Sequence, residues 1–253
     1  MISKDKRFQK VFIAYGYTID PRGRNEINID SFKEYILQAF PKSNDAGILC
    51  IDLENKIYTK IRDSNLNSKE FKQAKNNFLT LLDVVKKIRP NVKVGFYGIP
   101  YKMRSNSQLN FNSESRIDEI IKKSDIIFPT LYLNYSNDQF GGSMRNRNFL
   151  KLNLEYALSL GVRYNKKVIP FSWYMIHPSN NSYGAQIMSS KDWKSYLEQI
   201  KKIAYRGKSI DGVVYWEPNK KNFSTYKNKR YNTLYSAKDQ SQIFLDNMYN
   251  NGN

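Results

Sequence analysis

Short β-rich runs alternate with longer helical patterns along almost the whole chain, and this alternation constrains the fold more than any other feature. The β-rich runs cover 11–17, 47–53, 92–97, 125–133, 167–173 and 211–216. Between them, 31–40, 68–89, 115–123, 145–164 and 190–206 carry apolar residues at helical spacing. Strand then helix, repeated, implies a parallel sheet, because a crossover helix must return the chain to the edge where the next strand starts. No GxGxxG or GxxxxGK turn occurs, so nothing favours an open nucleotide-binding sheet. The pattern predicts an α/β fold, a TIM-like (β/α) barrel.

The segment 68–89 shows the helical period best: Phe71, Ala74, Phe78, Leu81, Val85 and Ile88 recur every three or four residues and line one face. Asn67 is the expected N-cap, with Glu70 three residues on, and Pro90 ends the run. The segment 190–206 likewise turns Trp193, Leu197, Ile200 and Ala204 inward and Lys191, Lys194, Lys201 and Lys202 outward.

The 253 residues show no abrupt compositional shift and read as one catalytic barrel domain, 1–253. Its end, 219–253, reads as a basic loop punctuated by Phe223 and Tyr226, then a last helix at 236–249. No apolar run approaches the roughly 18–20 residues of a membrane helix, so no membrane span is expected. No signal peptide precedes the first strand.

The single cysteine, Cys50, excludes an intrachain disulfide and reads as a small core residue. The lone histidine, His177, has no second His or Cys with which to hold zinc. No metal and no cofactor are expected. With 41 Lys and Arg against 23 Asp and Glu, the net charge is +18, a field that attracts polyanions. Acidic polysaccharide, nucleic acid and anionic membrane surfaces are candidate partners, and a solvated lysine-rich surface is the plain alternative. No nucleic-acid-binding motif accompanies the charge.

The run 47–54, Gly-Ile-Leu-Cys-Ile-Asp-Leu-Glu, ends in two carboxylates, Asp52 and Glu54. Side chains two apart on a strand share a face, so both acids project from one side at a Cα separation of about 6.5–7 Å. In a barrel they meet the other strand ends at one mouth: Tyr15 and Tyr17, Tyr97 and Tyr101, Tyr132, Trp173 and Tyr174, Trp216 and Glu217. Aromatic faces stack on sugar rings, so acids ringed by aromatics suit a glycosidase. Most glycosidases flank the scissile bond with two carboxylates, whereas two acids from one strand act from one side. Glu54 is then the proton donor, with a pKa raised by burial and by the charge of Asp52. Asp52 is the orienter of a group carried by the substrate, such as a 2-acetamido group. Taken singly, the acids also fit a structural ion pair, and the aromatics fit core packing, as Trp193 does.

Taken in order, the pieces resemble the hyaluronidases of the animal and venom type, glycoside hydrolase family 56. Residues 47–54 are similar to the family's catalytic strand, Gly-x-x-x-Ile-Asp-(aromatic)-Glu. Lys86-Lys87-Ile88-Arg89-Pro90 and Gly95-Phe96-Tyr97-Gly98-Ile99-Pro100-Tyr101 resemble its next helix and its Gly-(aromatic)-Tyr-x-x-Pro strand. Phe128-Pro129-Thr130-Leu131-Tyr132-Leu133, Glu155-Tyr156-Ala157-Leu158, 167–174 and 211–216 continue the series.

The resemblance implies a distorted barrel of about seven strands and retaining, substrate-assisted endo-hydrolysis of β-N-acetylhexosaminide bonds in hyaluronan or chondroitin. Glu54 matches the acid/base and Asp52 the acetamide-positioning acid. Tyr132, Tyr174 and Trp216 match positions that shape the cleaved sugar's pocket, with Tyr15, Tyr97, Tyr101, Trp173 and Glu217 as further substrate-binding candidates. It implies no metal or cofactor, an acidic polysaccharide as partner, and a secreted or cell-surface location. Another amino-sugar polymer as substrate, or a noncatalytic polyanion-binding barrel, stays open. The family's Trp-Arg-Pro after the catalytic Glu is replaced here by Asn55-Lys56-Ile57, its disulfide cysteines are missing, and the short link before the catalytic strand leaves room for only a reduced strand at 26–29.

Overall fold

The computed structural model describes residues 8–217 together with Phe244. Strand β1 (Val11–Tyr15) pairs in parallel with β2 (Gly47–Asp52), and β2 with β3 (Val92–Phe96), in the order β1-β2-β3. Two shorter parallel pairs follow, β4 (Ile126–Ile127) with β5 (Lys167–Val168) and β6 (Phe171–Ser172) with β7 (Val214–Tyr215). Single contacts join these ladders into one series. Tyr97 bridges Phe128 and Thr130 bridges Phe171, both in parallel, while the Asp125 and Gly98 amides donate to Val94 and Phe128 at 2.7 and 3.0 Å.

The expected runs 125–133 and 167–173 are each cut short by a proline. Pro129 and Pro170 lack the N–H that a ladder needs, and their carbonyls alone take part, accepting from Phe171 at 2.9 Å and Val214 at 2.8 Å. The parallel α/β arrangement is plain. The ladders themselves remain three short sheets and do not form a closed ring among the described residues.

Helices pack around the strands in the expected alternation: α1 (Gly16–Ile19), α2 (Ile29–Ala39), α3 (Lys56–Asp63), α4 (Lys69–Ile88), α5 (Glu114–Lys123), α6 (Gly142–Tyr164) and α7 (Ser190–Lys202). The buried face of α4 is Phe71, Ala74, Phe78, Leu81, Leu82 and Val85, each large side chain worth about 1.5–3 kcal/mol of burial. Its cap is Ser68, not Asn67: the Ser68 hydroxyl accepts from the Phe71 amide at 3.1 Å. Helix α7 stops at Lys202, which leaves Ala204 exposed beyond it, while Trp193, Leu197 and Ile200 are buried as expected.

No strand forms at 26–29, where α2 begins instead. Helix α1 takes Gly16 and Tyr17 out of the expected strand run 11–17, which ends at Tyr15, and helix α3 has no counterpart in the sequence reading. It has two turns and only Ile57 and Ile61 buried, too short a period to stand out, and Asn55 caps it by accepting from the Ile57 amide at 2.9 Å. No helix among the described residues is long and apolar enough to cross a membrane. The expected basic loop and last helix in 219–253 lie outside the described residues, except that Phe244 is buried against Tyr215, 5.0 Å between ring centroids, and Trp193.

Candidate active site

Because β1 to β7 run parallel, their C-terminal ends face the same side, and a cavity of about 480 Å³ opens there. Asp52 is the last residue of β2, and Glu54 lies two residues on; both line the cavity. The shared face expected from strand geometry is thus present.

Asp52 holds one carboxylate oxygen, Oδ1, buried with no hydrogen-bond partner among the described residues. Burial, and then the charge of Glu54, pushes its carboxyl up to about 7. Glu54 is exposed into the cavity, yet the walls desolvate it enough to raise its pKa, and the ammonium of Lys102 pulls it partly back. Both carboxyls are thus raised, and Asp52 is the more deeply buried of the two.

Aromatic side chains form much of the remaining lining. The Tyr97 hydroxyl donates to Thr130 Oγ1 at 3.0 Å and meets the Tyr132 hydroxyl, a short relay beside the acids. Tyr132 packs edge-on against Trp173 at 5.5 Å and tilted against Trp216 at 5.8 Å, and the two indoles meet edge-on at 4.9 Å. Tyr132 and Trp173 are buried and Trp216 half-buried, so Trp216 keeps the most ring surface for a ligand. Tyr101 lines the cavity and donates its hydroxyl to the Tyr58 carbonyl at 2.8 Å.

Of the ten catalytic and substrate-binding candidates, seven line this cavity: Asp52, Glu54, Tyr97, Tyr101, Tyr132, Trp173 and Trp216; Tyr17, also expected at the mouth, lies in α1 and is exposed. Tyr15 lines a neighbouring shallow groove, where its hydroxyl shares a hydrogen bond with the Trp216 indole and feels the Asp52 charge. Tyr174 and Glu217 stand elsewhere. Tyr174 is fully buried against Tyr215 and Trp193, and its phenol, raised by burial, faces the Glu217 carboxylate. The cause is alternation along extended chain: Trp173 and Trp216 turn toward the cavity, so their neighbours Tyr174 and Glu217 turn away.

Five polar residues of the wall escaped the sequence reading: Tyr58, Arg62, Lys102, Thr130 and His177. Tyr58 and Arg62 are four apart on α3 and share a face, a signal open only to a reader who had recognised that helix. The Tyr58 hydroxyl donates to the Gly98 carbonyl at 2.9 Å. His177 is pushed down to about 4 by burial and by Lys102 and Arg104, and is neutral at neutral pH. Among the described residues, no three His, Cys, Asp or Glu side chains are grouped so as to hold a metal. Cys50 is fully buried within β2, its thiol raised by that burial.

No protein-family model matches the chain. A salivary hyaluronidase of Lutzomyia longipalpis is 26% identical over 162 residues, which cover 58% of this chain and 39% of that protein. A hyaluronidase of Vespa magnifica is 21% identical over 237 residues, covering 78% of this chain and 62% of that protein. The chain thus spans about two-fifths to three-fifths of the length of the curated relatives it matches. Among solved structures, bee venom hyaluronidase in a monoclinic crystal superposes with a TM-score of 0.57 at 17% identity, over 87% of this chain and 85% of that one. Bee venom hyaluronidase in complex with a hyaluronic acid tetramer gives 0.57 at 15% identity, over 87% and 84%. In sequence and in fold, the chain is similar to the hyaluronidases of the animal and venom type.

Proposed function

We propose that the chain is a retaining, substrate-assisted endo-hydrolase of β-N-acetylhexosaminide bonds in acidic glycosaminoglycans, hyaluronan or chondroitin. One observation carries the reading: the two acids of the cavity, Asp52 and Glu54, leave one strand end together, and no third carboxylate lines the cavity among the described residues. An enzyme without an opposed carboxylate needs its nucleophile from elsewhere, and the 2-acetamido oxygen of the substrate can supply it.

In this mechanism Glu54 protonates the glycosidic oxygen while the acetamide oxygen attacks C1, so the leaving sugar departs as an alcohol and a cyclic oxazolinium remains. The acetamide N–H donates to Asp52, whose buried Oδ1 has no other partner among the described residues. That bond favours the charged form of Asp52 and shifts the proton held by the pair toward Glu54. Water, deprotonated by the Glu54 carboxylate, then opens the oxazolinium at C1 with overall retention. Trp216, backed by the buried Tyr132 and Trp173, offers the stacking surface for the amino sugar.

The net charge of +18 suits a substrate with a carboxylate on every repeat. The tetramer-bound neighbour is a bee venom hyaluronidase, and one relative named above is salivary, which supports an acidic polysaccharide substrate and a secreted location as parts of the same proposal. The same reading takes the strands as a distorted barrel of about seven, with Tyr15 and Trp216 meeting across the seam between its first and last strands.

The test is incubation with hyaluronan, chondroitin, chitin oligomers and DNA, followed by product sizing and assay of new reducing ends. New reducing ends from hyaluronan or chondroitin, lost in Glu54→Gln, support the proposal. Products carrying an unsaturated uronate would indicate a lyase and overturn it, as would cleavage confined to chitin.

A further inference from the structure

Just beyond β3, a short extended segment crosses the cavity wall. Tyr101 and Met103 are buried in it, and Lys102 between them is exposed. Two buried asparagines hold the backbone on either side. Asn112 accepts from the Tyr101 amide at 2.7 Å and donates to the Tyr101 carbonyl at 2.8 Å. Asn153, on α6, does the same for Met103, at 2.7 and 2.8 Å. Each side-chain amide satisfies both polar groups of the residue it faces, as a neighbouring strand would. Lys102 is thus carried on a clamped stretch of backbone, and its side chain lines the cavity with Glu54 and His177.

The ammonium so presented is uncommitted. Among the described residues Lys102 forms no ion pair and no hydrogen bond; the opposite charge it feels is that of Glu54. Arg62, the other permanent cation of the cavity wall, is already engaged by Asp63 at 2.7 and 2.8 Å. A cation held in a partly desolvated cavity without a carboxylate partner is placed to receive one from a ligand. Burial lowers the Lys102 pKa and the Glu54 charge raises it in part, in keeping with a site that gains from a second anion.

We propose that Lys102 is a specificity-determining residue that pairs with the carboxylate of the uronate on the leaving side of the cleaved bond. This rests on the hydrolase reading above. There the amino sugar keeps its acetamide at Asp52, and the oxygen that Glu54 protonates belongs to the next sugar, which in an alternating acidic polymer is a uronate. Lys102 acts on Glu54 and not on Asp52, and in this reading that puts it toward the leaving sugar. In a chitin-like polymer that sugar has a neutral hydroxymethyl group, and Lys102 gains no partner.

The experiment compares a hyaluronan hexasaccharide with the same oligosaccharide after reduction of its carboxyl groups to hydroxymethyl groups. Binding of each is measured by titration calorimetry to the full chain carrying Glu54→Gln, which keeps the ligand intact, with and without Lys102→Gln or Lys102→Arg. The expected result is at least a tenfold preference for the acidic ligand, most of it lost with Lys102→Gln and largely kept with Lys102→Arg. A preference unchanged by Lys102→Gln, alongside normal hyaluronan cleavage by the unmodified chain, overturns this inference alone. A Lys102-dependent preference without any cleavage by the unmodified chain overturns the hydrolase reading and, with it, the leaving-sugar role. Absence of any preference overturns the inference as well.

Discussion

Asp52 and Glu54, two residues apart at the end of β2, are both raised by burial: that burial and then the Glu54 charge push the Asp52 carboxyl up to about 7, while Lys102 draws the raised Glu54 part of the way down. The proposed chemistry needs one proton on the pair, carried by Glu54 when substrate is bound. That form is lost at low pH, where both acids are protonated, and above about 7, where the last proton leaves.

The rate profile should therefore be bell-shaped, with its basic limb falling through about 7. In Asp52→Asn the basic limb should move to lower pH, because Glu54 no longer holds the last proton against a neighbouring charge. Initial-rate measurements of kcat/KM across pH check this; a basic limb that stays in place or moves upward contradicts the assignment.

Glu54→Gln should lower kcat by about 10²–10⁴-fold, the usual worth of a general acid, and leave oligosaccharide binding nearly intact. Reducing-end assays and calorimetry on the same sample separate the two. A variant that cleaves at the unmodified rate removes Glu54 from the mechanism.

The Asp52 shift also predicts a pH-dependent stability. The folded carboxyl keeps its proton up to about 7, against an ordinary 3.8, so across that interval the folded state binds more protons than the unfolded state. Stability then falls as pH rises from about 4 to about 7 and carries the full penalty above it. Asp52→Asn removes that penalty, on the order of a few kcal/mol at most, so its Tm gain over the unmodified chain should be larger at about pH 8 than at about pH 4. Thermal unfolding at the two pH values decides; an equal difference at both would show that Asp52 titrates alike in the folded and unfolded chain.

Gly95→Ala tests how β3 is seated. A Cβ on Gly95 would come within 2.0 Å of the Ile126 carbonyl oxygen, so β4 must move away from β3. The cost should be at least about 1–3 kcal/mol, the usual range for overpacking, with loss of activity because β3 and β4 lead into Tyr97, Thr130 and Tyr132. Denaturant unfolding gives the stability change, and a variant as stable as the parent would mean that the two strands separate easily.

The order of strands and helices was legible in the chain because its signals are local. A period of two against a period of 3.6, with Pro90 closing the longest amphipathic run, depends on neighbours a few residues away. The placement of Asp52 and Glu54 on one strand end was legible for the same reason. Strand lengths were less so, since Pro129 and Pro170 interrupt runs that composition alone would extend.

Sequence by itself therefore determined the α/β succession, the burial of Cys50 and Trp193, and the pair of acids at the end of the second strand. Only the tertiary structure decided which aromatic of each adjacent pair faces the cavity, turning Trp173 and Trp216 in and pairing Tyr174 with Glu217. It also decided that Asn112 and Asn153, the latter fifty residues away, would hold the backbone around Lys102. The physical reason is range: helix and strand periods are written by near neighbours, whereas the direction of a side chain at a strand end and the partner of a buried amide depend on segments that meet only when the chain is folded.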